Sequence, residues 1–158
     1  MYKRQLLCGL LIAAASLTLS AADAPPELPK PREYVCYRAD KSPAIDGALA
    51  DQAWENAPWS ADFVDIEGPA KPLPTHRTRM KMLWDDQALY IAAEITEPNV
   101  WATIKEHDAV IFQDPDFEVF LDPDNDRLLY GELELNALNT TWDLLLTKPY
   151  NDNGRAIN

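Results

Sequence analysis

The reactive side chains of this sequence are almost all oxygen donors. Asp122, Asp124 and Asp126 stand at D-x-D-x-D spacing, and three hard oxygens so close together are what Ca²⁺ takes as ligands. They do not open an EF-hand, which needs Gly at its sixth position and Glu at its twelfth; Arg127 and Leu133 stand there. The same three residues also read as an acidic turn between strands. Carboxylates recur on either side: Asp116 and Glu118 before the turn, Glu132 and Glu134, with the amide of Asn136, after it. Glu118 with Glu134, or Asp116 with Glu132, are candidates for the paired acids of a glycosidase. They are equally the outward side chains of half-exposed strands.

Other chemistries lack their parts. The chain shows no Ser-His-Asp arrangement, no Cys-x-x-Cys pair and no phosphate-binding glycine loop, and it has only 5 Gly and 2 His. Its formal net charge of −12 argues against nucleic acid as a partner. An acidic balance suits neutral polymers or divalent cations, and also plain solubility.

The elements that must position these residues are mostly strands. Arg77 to Trp84 alternates, with Thr78, Met80, Met82 and Trp84 on one side. An Asp85-Asp86 turn follows, and Leu89, Ile91, Ala93 and Ile95 form the apolar side of a second strand, so the pair reads as a hairpin. Asp116 to Asp122 sets Phe117, Val119 and Leu121 against Asp116, Glu118 and Phe120. Leu129 to Asn136 sets Leu129, Leu133 and Leu135 against Tyr130, Glu132, Glu134 and Asn136, and Trp142 to Thr147 adds a further strand. One short helix is expected over Leu49 to Ala57, with Trp54 on its buried face. Trp59 and Trp84 read as core; Trp101 and Trp142 read either as core or as exposed ring platforms. The fold class is all-β, an antiparallel sandwich of jelly-roll or immunoglobulin-like type. About six strands are fewer than a sandwich usually closes with, so a domain truncated at its C-terminus is expected.

The N-terminus carries an address. Lys3 and Arg4 precede an apolar run from Leu6 to Leu19, and Ser20-Ala21-Ala22 supplies small residues for cleavage, so residues 1–22 read as a signal peptide. The run is too short for a membrane span, and Cys8 lies too early in it to form a lipobox. Residues 23–33 are a proline-rich leader, and residues 34–158 one domain, secreted or periplasmic. Cys36 is the one cysteine left after cleavage, so no intrachain disulfide is expected.

Pro43-Ala44-Ile45-Asp46-Gly47 with Asp51 and Trp54, then MLWDDQALYIAAEI, DFEVFLDPD and GELELNALNTTWDLLL, in that order, resemble carbohydrate-binding module family 9 over most of residues 34–150. The resemblance implies a non-catalytic β-sandwich that holds the ends of sugar chains between aromatic rings, occurs beside glycoside hydrolases and often carries calcium. Phe112 stands where the family has a clamping Trp, six residues before Glu118. Asn136 matches a sugar-contacting Asn, and Glu134 replaces an Arg. The implied carbohydrate site is thus Phe112, Glu118, Glu134 and Asn136, with Asp122, Asp124 and Asp126 as calcium candidates and no cofactor required. These types suit a sugar, whose apolar C–H faces pack on rings and whose hydroxyls pair with planar polar groups. The expected ligand is a neutral polysaccharide or oligosaccharide. Distantly similar sandwiches carry haem through Met and His or Lys, and His76 with Met80 and Met82 is the cluster that reading would use; Met80 and Met82 also read as core.

Overall fold

The computed structural model describes residues 31–68 and 70–157, so residues 1–22, read as a signal peptide, and most of the proline-rich leader lie outside the described residues. Alternation makes the strands. β1 (Tyr37–Arg38), β2 (Thr78–Trp84) and β3 (Leu89–Ile95) form one sheet in that order, β1 running parallel to β2 and β2 antiparallel to β3. β4 (Asp116–Leu121), β5 (Tyr130–Asn136), β6 (Thr141–Leu146) and β7 (Ala156–Ile157) form a second, wholly antiparallel sheet. The protein is a β-sandwich.

The hairpin between β2 and β3 is set by Asp85, whose Oδ1 accepts the N–H groups of Gln87 and Ala88 while Oδ2 accepts the hydroxyls of Ser42 and Tyr90. Such a self-capping carboxylate is why Asp starts turns. Led by the Ser42 hydroxyl, these donors hold the Asp85 carboxyl at about 2.

The expected helix over Leu49 to Ala57 is one turn, α1 (Gln52–Glu55). Asp51 could cap it, but its carboxylate accepts the N–H of Ala44 and makes no cap hydrogen bond. The helix nonetheless buries Trp54, which packs with Ala39, Ala57 and Leu83 against the side of β2 and β3 that carries Tyr90 and Ala92. The core residue of β2 is therefore Leu83. Trp84, expected in the core, is 41% exposed at the strand end, beneath the Arg38 guanidinium. Trp59 is half-buried under two cations, the guanidinium of Arg79 at 3.8 Å and the ammonium of Lys81 at 4.5 Å from its ring centre.

The opposite side of the first sheet, with Met80, Met82 and Ile91, and the Phe117–Leu135 side of the second sheet are only partly covered. Between the sheets lies a cleft of about 840 Å³, lined by Phe63, Thr78, Ile95, Trp101, Phe117 and Leu135 among others.

Candidate functional site

The pairing of β4 with β5 brings the acidic residues together. Glu118 stands directly opposite Glu134 and Asp116 opposite Asn136, and Trp142 of β6 stands opposite Glu134 on the other side. Glu118, Glu134 and Trp142 thus form a row across three strands, with Phe120, Glu132 and Leu144 as the next row. Asp116 and Glu132, weighed from the sequence as a second acid pair, share the face without being directly opposed.

This face is inverted relative to an ordinary amphipathic strand. Glu132, Glu134 and Asn136 are 7%, 2% and 4% exposed, whereas Leu133 and Leu135 on the other side are 38% and 36% exposed. The cover comes from the segment before β4. A 3₁₀ turn at Ile111–Gln113 packs on β5, and Ile111 and Leu146 are fully buried, with Leu144 close to it.

The cover is fastened by Asp114 and Asn136. Asp114 accepts the N–H groups of Thr103 and Ile104, the Thr103 hydroxyl and one Asn136 N–H. Asn136 gives its other N–H to the Ile104 carbonyl, and its Oδ1 accepts from Leu138 and Thr140. All four hydrogen-bonding positions of the Asn136 amide are filled. Burial alone would raise the Asp114 carboxyl; the donors from Ile104, Thr103 and Asn136 outweigh it and hold it below the usual range.

Glu134 is in the opposite condition. Burial, then the charges of Asp116, Glu118 and Glu132, push its carboxyl up to about 7, although the backbone N–H of Phe112 opposes the rise. Burial and the Glu118 charge raise Asp116 and Glu132 as well. Glu118 itself is exposed.

Phe112 rides on the covering turn. The residue is 61% exposed and its ring leans on Trp142, with centroids 6.1 Å apart and planes 34° apart. The structure therefore brings Phe112, Glu118 and Glu134 to one place, with Trp142 as a second ring, while Asn136 lies beneath the cover. Trp101 is 50% exposed and lines the cleft between the sheets. Asp114 and Thr103 had no signal in the sequence, because their role exists only through contacts between residues 11 (Thr103 with Asp114) and 22 (Asp114 with Asn136) positions apart.

Asp122, Asp124 and Asp126 come within 4.8 Å of one another in the loop after β4. Two of the three serve the loop: Asp122 accepts the N–H groups of Asn125 and Arg127, and Asp126 accepts that of Leu128. Asn125, Arg127 and Leu129 stand at positive φ without a glycine, the first two donating to Asp122 and the third to the Thr147 carbonyl. His76 faces Glu97 at 3.2 Å, and Met80 and Met82 are half-buried on β2. Among the described residues, no helix is long and apolar enough to cross a membrane.

Comparison with known proteins gives two kinds of match. The family model described as "Carbohydrate family 9 binding domain-like" matches residues 45–144, more than half of the chain. Endo-1,4-beta-xylanase A of Thermoanaerobacterium saccharolyticum is 28% identical over 102 residues, covering 65% of this chain and 8% of the enzyme. Exoglucanase XynX of Acetivibrio thermocellus is 26% identical over 102 residues, covering 65% of this chain and 9% of that protein. The chain thus corresponds to less than a tenth of the length of either relative. No solved structure gives a significant match.

Proposed function

Because the chain belongs to the carbohydrate family 9 binding domain-like family, whose members are binding modules rather than catalysts, we propose that it is an exported module that holds a neutral glycan beside a glycoside hydrolase. The observation that carries the reading is the exposed Phe112 ring, tilted on Trp142 next to the Glu118–Glu134 row. A ring offers its face to sugar C–H groups, and an adjacent exposed carboxylate accepts hydroxyl protons in pairs. Trp142 takes the place of a second aromatic contact. Asn136 contributes by keeping the Phe112 turn seated.

The charge of the site supports a neutral ligand. Asp116, Glu118, Glu132 and Glu134 repel a uronate at short range, so acidic polysaccharides are disfavoured. The names of the relatives, a xylanase and an exoglucanase, agree with a role in glycan breakdown. Export rests on Lys3, Arg4 and the apolar run to Leu19.

Affinity electrophoresis of the full chain against neutral and uronic-acid polysaccharides tests the binding. Retardation by a neutral polymer is expected; a preference for polyuronates would refute the charge argument. A sensitive hydrolysis assay on the same polymers separates binding from the glycosidase alternative, and N-terminal sequencing of exported material should find a start between Ala22 and Pro25.

A further inference from the structure

Asp116, Glu118, Glu132 and Glu134 gather on one face of β4 and β5, and among the described residues no Lys, Arg or His makes an ion pair with any of them. One oxygen from each of Asp116, Glu118 and Glu134 lies within 4.8 Å of the other two. Crowding of this kind is ordinary on an acidic surface. Burial is what separates this cluster from the Asp122 loop. Glu134 is 2% exposed, and its Oε2 is buried with no hydrogen-bond donor; the same holds for Asp116 Oδ2 and Glu132 Oε2. In the Asp122 loop, by contrast, Asp124 and Asp126 are exposed to water, and both Asp122 oxygens and one of Asp126 accept backbone N–H groups.

Carboxylate oxygens withdrawn from water, without donors and beside one another, are strongly unfavourable unless a counter-charge completes them. We propose that Asp116, Glu118 and Glu134 hold one divalent cation of the calcium class, with Glu132 adding its charge from the next row. The donor set is all oxygen, which selects a hard cation over zinc or copper. Oxygens bound to one Ca²⁺ at about 2.3–2.6 Å stand up to about 5 Å apart, which accommodates the separations here. Mg²⁺ keeps several of its waters and is usually held by only one or two carboxylates, whereas three converging carboxylates suit the larger Ca²⁺. The exposed Glu118 leaves the outer side of the ion open to water or to a pair of sugar hydroxyls. One divalent charge against four carboxylates leaves the site negative, so the preference for neutral glycans stands.

The cation site rests on the convergence of the three carboxylates and the burial of Glu134 and does not depend on the glycan reading. The test is calorimetric titration of the chelator-treated full chain with CaCl₂, without sugar and at mildly alkaline pH. Tb³⁺ luminescence excited through tryptophan runs in parallel, since Trp142 is the cross-strand neighbour of Glu134. Wild type should bind Ca²⁺ and sensitise Tb³⁺; Glu134→Gln and Asp116→Asn should each weaken binding by about 10-fold or more, and Asp124→Asn should leave it. Wild type that binds neither ion overturns the proposal, as does binding that survives both Glu134→Gln and Asp116→Asn. A shared proton among the carboxyls, the competing way to relieve the crowding, predicts the first of these failures. Should Glu134→Gln not fold, wild type and Asp116→Asn still decide the question. Calcium binding without glycan affinity would uphold this site and sink the glycan reading, and the reverse result would do the opposite.

Discussion

Asn136 Nδ2 lies 3.0 Å from Asp114 Oδ2 and donates to it, joining the end of β5 to the segment that covers the acidic face. Every polar atom of the Asn136 amide is committed within the protein, so truncation strands several buried groups at once. Asn136→Ala should therefore destabilise the fold by about 1–3 kcal/mol, and weaken glycan binding only through the loosened Phe112 turn. Urea unfolding gives the first number; an unchanged midpoint would show the staple to be dispensable.

Phe112 presents the reverse case. Its ring is mostly exposed, so Phe112→Ala should leave the melting temperature nearly unchanged while costing about 1–2 kcal/mol of affinity for a neutral glycan. Calorimetry and thermal melts on the same sample separate the effects. Undiminished affinity would move the sugar to another part of the sandwich, with Trp101 in the cleft the next place to look.

The pH dependence of the metal-free protein follows from two carboxyls displaced in opposite directions. Glu134 is raised from 4.5 to about 7 by burial and then by Asp116, Glu118 and Glu132, so the fold holds its proton more tightly than the unfolded chain. Its contribution is fully present below 4.5 and is lost as pH rises through about 7. Asp85 is lowered from 3.8 to about 2 by the Ser42 hydroxyl and then by the Gln87 N–H, and its contribution is present above 3.8 and lost as pH falls toward 2. Melting temperatures in chelator should decline across the upper window and again across the lower one. Glu134→Gln should flatten the upper decline alone; a wild-type profile already flat there would contradict the burial of that carboxyl.

Gly154 sits where the chain turns from β6 to β7, and a Cβ there would meet the Lys148 carbonyl oxygen at 1.7 Å and the Pro149 carbonyl oxygen at 2.7 Å. Both are backbone atoms that no rotamer change can move aside. Gly154→Ala should break the Gly154 N–H bond to the Pro149 carbonyl and release β7 from β6, at about 1–3 kcal/mol. Faster amide exchange at Leu145 and Thr147 would register the loss, and native exchange rates there would count against it.

The second sheet presents Leu121, Leu133, Leu135 and Leu145 on one side, each 36% to 45% exposed. Apolar area of this extent drives association, so residues 23–158 alone should self-associate as concentration rises. Sedimentation velocity tests this, and a species that stays monomeric at high concentration would show that the face is better covered in solution.

Much of the fold was legible in the sequence because its signals are local. Alternation located β3 at its observed bounds and β2, β4, β5 and β6 to within a residue or so at their ends. Asp85 announced its hairpin, and the spacing around Trp54 announced a buried ring. It also put Glu118, Glu134 and Asn136 on one side of their strands, which the register upholds. Period two sorts side chains into two sets, however, and says nothing about which set will be covered. For β2 the covered set holds Leu83 rather than Trp84, because α1 packs on that side. For β5 the covered set is the polar one, because the segment from Thr103 to Asp114 closes over it. That choice depends on contacts between residues far apart in the chain, where burial, hydrogen bonding and charge are decided together. The burial of Glu134, and with it the shift of its carboxyl to about 7, is accordingly a property of the tertiary structure alone.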